Sequence, residues 1–97
     1  MQLLVHPAAE REVAQALEFA RQHFGAAVAA KLVQRIHQAG LLLQREPGLG
    51  APANAQARRL PLRGYPYTLV YRVTGQVVHV LAFMHQSRLP DYWVHRD

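Results

Sequence analysis

The stretch YTLVYRVTGQVVHVLAFMH, Tyr67 to His85, decides the fold. β-Branched and aromatic residues recur on both sides of Thr74-Gly75-Gln76, and a short glycine-containing connection between two such runs predicts a β-hairpin of Tyr67 to Val73 and Val77 to His85. Side chains alternate across a strand, so Val78, Val80, Ala82 and Met84 are expected on one face of the last strand and His79, Leu81, Phe83 and His85 on the other. In the strand before it, Leu69, Tyr71 and Val73 alternate with Thr68, Val70 and Arg72. If helices cover the first set, the other face carries Val70, Leu81 and Phe83 ringed by Thr68, Arg72, His79 and His85, half apolar and half basic. The C-terminal tail either closes this face as ordinary core or leaves it to a partner, and a partner-binding groove is the expectation.

Upstream, ARRLPLRG (Ala57 to Gly64) continues the two-residue period as a further strand, and Glu46 to Gln56, EPGLGAPANAQ, reads as a surface loop because two Pro and two Gly interrupt it without periodicity. Before the loop the period lengthens. Ala9, Val13, Ala16, Leu17, Ala20 and Phe24 recur at three- and four-residue steps, as do Val28, Leu32, Ile36, Ala39 and Leu43, which predicts two helices. Pro7 suits the first turn of the earlier one, where its missing N–H is not needed. Only Gly25 separates the two, so they form an antiparallel hairpin. Gln2 to Val5 is a short apolar strand. The layout is α+β, in the order β-α-α-β-β-β, with the helical hairpin packed on a small, mostly antiparallel sheet.

Ninety-seven residues are expected to make a single domain, residues 1–97, with one core. The absence of Cys excludes disulfides, thiolate zinc sites and a Cys nucleophile, and fits a cytoplasmic setting. The apolar run Leu3 to Val5 is far short of a signal-peptide core, and no segment approaches the roughly 20 apolar residues of a membrane span. The net charge of +5 favours polyanionic or acidic partners. The six histidines, at positions 6, 23, 37, 79, 85 and 95, have no paired helical spacing, so no metal or other cofactor is expected.

Downstream of the hairpin the chain reads His85-Gln86-Ser87-Arg88-Leu89-Pro90-Asp91-Tyr92-Trp93. A strand that only closed a core would not need this ending. Arg, Tyr and Trp dominate protein interfaces, which makes Arg88, Tyr92 and Trp93 candidate contacts. Arg59, Arg63, Arg72, Phe83 and His85 join them. All but Phe83 have a plainer reading as well: Arg72 as a salt-bridge partner, Arg88 and Asp91 pairing across the Pro90 turn, His85 capping the strand end, Tyr92 and Trp93 packing as anchors, and Arg59 and Arg63, with Arg58, as a solvated sheet edge.

Taken together, ARRLPLRG, GYPYTLVYRV and the ending MHQSRLPDYW resemble the RelE/ParE superfamily of toxins from type II toxin-antitoxin modules, and the ending resembles the ParE side more closely. The resemblance implies a toxin that arrests growth, neutralised by a small acidic antitoxin whose extended segment wraps it in a hetero-oligomer. It implies two possible targets, DNA gyrase or the ribosome with its mRNA. RelE-type nucleases place Arg, Arg and Tyr at the positions of Thr68, Ser87 and Trp93, and their clustered lysines are absent here. The expectation is therefore a non-catalytic, ParE-like inhibitor of gyrase. The alternatives are a ribosome-dependent endoribonuclease with His85 as base, Arg88 as clamp and Tyr92 as acid, and a non-toxic module that only binds its antitoxin.

Overall fold

A computed structural model describes residues 1–97. Strand β1 (Gln2–Val5) leads into helix α1 (Pro7–Phe24), and helix α2 (Ala26–Arg45) returns antiparallel to it. Strands β2 (Ala51–Pro52), β3 (Arg58–Pro61), β4 (Tyr67–Thr74) and β5 (Val77–His85) follow. The sheet order is β1-β5-β4-β3-β2, with β1 parallel to β5 and the other pairs antiparallel. The expected α+β architecture is the one the chain adopts. It has one strand more than expected: Ala51–Pro52, inside the stretch read as loop, pairs with β3. Two residues carry no detectable period, and tertiary bonds hold the pair in place. Arg58 donates to the Gly50 carbonyl (2.7 Å), and the Tyr71 hydroxyl accepts from Gly50 N–H (2.8 Å) while donating to Pro47 O (2.8 Å). A Cβ at position 50 would lie 2.7 Å from both Arg59 O and the Tyr71 hydroxyl, so only glycine fits under that ring.

The helices form for the reasons their periodicity suggests. The His6 imidazole accepts from Ala8 N–H (3.0 Å) at the start of α1, Pro7 opens the first turn, and Gly25, at φ +96°, makes the sharp reversal into α2. The residues α1 buries are Ala9, Ala16 and Ala20, whose small side chains let the helix lie close to β5. Helix α2 buries Leu32, Ala39 and Leu43. At the hairpin tip the predicted stripes run out: Phe24 is 65% exposed and Val28 is 38% exposed. Leu32, 2% exposed, lies in the main core with Leu69, Tyr71, Val78, Val80 and Phe83. Leu32→Ala is expected to cost about 2–5 kcal/mol. Chemical denaturation would measure it, and a near-neutral change would reject this packing.

The expected faces of the sheet hold along β4 and fail along β5. Val70 pairs with Ala82 and Tyr71 with Val80, which leaves Leu81 as an extra residue, a β-bulge. Beyond it the alternation is shifted by one. Phe83 joins Val78 and Val80 under the helices, while Ala82 and Met84 turn to the far face with Val70 and Leu81. The far face is not the open groove that strict alternation suggests. Trp93 is fully buried against Val70, Leu81, Ala82 and Met84, and its indole N–H donates to Pro90 O (2.8 Å). The tail closes the second face as core.

Candidate functional site

The strand end, the tail and the middle of α1 meet at Glu12. Its side chain is only 10% exposed, and it accepts from Phe83 N–H (3.0 Å), the Tyr92 hydroxyl (2.6 Å) and both terminal nitrogens of Arg96 (2.8 and 3.2 Å). Arg96 also donates to Leu81 O (3.0 Å). Strand β1 pairs with β5 only as far as Val80, so Glu12 and Arg96 cap backbone groups of β5 beyond the end of its neighbour. Burial alone would push the Glu12 carboxyl up. The hydrogen bonds from Arg96, Tyr92 and Phe83 and the charge of Arg96 outweigh it and hold Glu12 below the ordinary carboxylate value of 4.5. Burial and the bond to Glu12 push the Tyr92 phenol up to about 12.

Above this hub opens a cleft lined by Glu12, Gln15, Ala16, Phe19, Tyr67, Phe83, His85 and Arg88. Tyr67 and Phe83 stack with ring centroids 4.6 Å apart and form its apolar floor. The Arg88 guanidinium lies over the Tyr92 ring, 3.9 Å from its centroid, and 4.0 Å from Glu12 Oε2. His85 Nδ1 accepts from Ser87 N–H (3.0 Å), with the Ser87 hydroxyl 2.8 Å away, so in the neutral ring the proton rests on Nε2. Apolar surface continues from the cleft along Phe19, Phe24, Val28 and Tyr65.

The candidate contacts fall into separate groups. His85 and Arg88 line the cleft and the Tyr92 ring lies beneath Arg88, whereas Phe83 (2% exposed) and Trp93 (fully buried) are packing residues with no surface to offer a partner. The pairing of Arg88 with Asp91 does not form. Asp91 instead accepts from the Asn54 amide (2.9 Å) and lies 3.7 Å from Arg59, whose guanidinium donates to Pro90 O (3.2 Å). Arg72 donates to Ala55 O (3.0 Å), holding the turn where Ala55 and Gln56 adopt φ of 55° and 60°. It is a loop anchor and does not stand free on an open face. Arg63 is exposed, beyond β3. The bulge brings His85 to the helix side, away from where alternation alone would put it.

Sequence reading missed Glu12 and Arg96 altogether. The one signal was an acid four residues before Ala16, on the border of the apolar stripe of α1, where burial demands a partner.

The cleft offers a donor-rich rim around an apolar floor, on a chain with no helix long and apolar enough to cross a membrane. Comparison with known proteins agrees with the architecture. No curated protein sequence matches the chain. The solved structure described as a chromosomal ParDE TA system from P. aeruginosa is 25% identical, with a TM-score of 0.80 over 88% of this chain and 95% of that one. The family model for the ParE toxin of type II toxin-antitoxin system, parDE, matches residues 3–90, from β1 to the Pro90 turn, and the chain therefore belongs to the ParE toxin family.

Proposed function

We propose that this protein arrests bacterial growth by binding DNA gyrase, and that a cognate antitoxin holds it inactive by covering the cleft and the apolar surface that runs from it to the hairpin tip. The observation that carries this reading is the engagement of the groups a metal-free ribonuclease would use. Such an enzyme needs a base for the 2′-hydroxyl, cations on the phosphate and a donor for the leaving oxygen. Here His85 Nδ1 is held by Ser87, and the Tyr92 phenol, at about 12, gives its hydrogen bond to Glu12. Trp93, at the position of the nuclease Tyr, is fully buried. An inhibitor that acts by binding needs only a shaped surface with anchors, and Arg88 with the 78% exposed Leu89 supplies them at the tip of the tail turn.

The test pairs two assays on the purified protein: gyrase supercoiling of relaxed plasmid, and cleavage of mRNA on programmed ribosomes. Loss of supercoiling with intact mRNA is expected. Cut mRNA beside working gyrase would overturn the reading, and silence in both would leave antitoxin binding as the function. Tight binding to the product of the adjoining reading frame tests the antitoxin half.

A further inference from the structure

The charges around Glu12 do not balance. One carboxylate faces two guanidiniums, and Arg96, with two bonds of 2.8 and 3.2 Å and a side chain only 18% exposed, takes the close contacts. Arg88 is left as a surplus cation, 51% exposed and loosely placed at 4.0 Å, yet held in position by the Tyr92 ring. Beside it His85 lines the same cleft, and because Nδ1 is spent on Ser87, the ring keeps Nε2–H as a donor. The Gln15 amide borders the cleft from α1, and the stacked Tyr67 and Phe83 rings close its floor.

We propose that Arg88 and His85 form a carboxylate subsite, which takes an acidic side chain of the antitoxin while an apolar neighbour of that side chain rests on Tyr67 and Phe19. The subsite follows from the geometry, and its occupant rests on the antitoxin reading above. A carboxylate suits this cluster better than a bare phosphate. The cluster has a single uncompensated positive charge, and half its lining is apolar, which suits a monoanion carried on a greasy segment. The charge-assisted contacts form only when the partner arrives, because the Glu12 carboxylate is already saturated by Arg96, Tyr92 and Phe83.

Two arms test this. In the first, the arginine Nε–H and histidine ring NMR signals of the whole protein are followed during titration with 3-phenylpropionate, its amide, and inorganic phosphate. Saturable shifts at Arg88 and His85, at least about five-fold tighter for the acid than for the amide or phosphate and absent in Arg88→Gln, are expected for a partly exposed charge-assisted contact. Equal binding of the amide, tighter binding of phosphate, or no response at Arg88 would sink the subsite. In the second arm, the affinity of the adjoining reading frame's product is measured against wild type, Arg88→Gln and His85→Phe, with each acid of that partner changed to its amide. A loss of about ten-fold or more on Arg88→Gln, matched by one partner acid whose removal is not additive with it, is expected for a coupled ion pair. Unchanged affinity in Arg88→Gln would refute the proposed occupant. A wild-type protein that ignores this partner would defeat the antitoxin reading, leaving the subsite to be decided by the first arm.

Discussion

Replacing Glu12 by Ala is expected to remove about 3–5 kcal/mol of folding stability, the scale seen when one partner of a buried ion pair is deleted. Phe83 N–H and the Tyr92 hydroxyl would lose their acceptor at once, and the Arg96 guanidinium would keep only Leu81 O. Glu12→Gln keeps an acceptor oxygen and the side-chain size, so its loss should be smaller. The double change Glu12→Ala with Arg96→Met removes the close ion pair and should recover part of the deficit, since the less exposed guanidinium is no longer left without an anion and only the half-exposed Arg88 still faces the site. Urea unfolding at neutral pH measures all three, and a loss below about 1 kcal/mol for Glu12→Ala would rank the cluster with ordinary surface bridges.

The same hub sets a pH dependence at both ends of the scale. The folded-state pKa of Glu12 is depressed, so its contribution is fully present above about pH 4.5 and disappears as pH falls through the lower folded value. The folded-state pKa of Tyr92 is raised from 10.0 to about 12, so its contribution is complete below pH 10 and is lost as pH climbs towards 12. Wild type should therefore lose stability on the acid side more steeply than Glu12→Gln does. Parallel curves would mean that Glu12 is not the group that titrates.

Trp93→Ala is expected to cost about 3–5 kcal/mol, a large fraction of the 5–15 kcal/mol that holds a domain of this size together. The indole covers Val70, Leu81, Ala82 and Met84, and its removal opens an apolar sheet face to water. Trp93 is also the single Trp of the chain, so its emission reports directly on the tail. Fluorescence and far-UV circular dichroism should follow one unfolding transition in wild type, because the tail is part of the core. An earlier fluorescence transition, or a Trp93→Ala protein as stable as wild type, would show that the tail is a detachable contact element.

These two residues also mark the limit of what could be read along the chain. The hairpin of β4 and β5, the α1–Gly25–α2 reversal and the order of elements follow from local period and turn chemistry, and the chain adopts them. The ending from Met84 to Trp93 pointed to the family for the same reason, since residue types at fixed spacing are visible in sequence. The site was legible only in part: His85 and Arg88 do line one cleft, with the Tyr92 ring beneath Arg88, while Phe83 and Trp93 proved to be core. What turned Phe83 to the helix side is a single inserted residue. The bulge at Leu81 exchanges the faces of every side chain after it, and no local pattern announces a bulge set by pairing across the sheet.

Local pattern along the chain thus gave every element but the two-residue β2, their order and the basic character of the rim, because each depends on residues within a turn or a strand of one another. Tertiary structure alone decided which face was closed, and by what. It also decided that Arg72 holds a loop, and that Glu12 meets Tyr92 and Arg96 across 80 and 84 residues of chain. Such a meeting exists only once the helix and the tail have packed against the same strand, since desolvation then forces each buried polar group to find its partner.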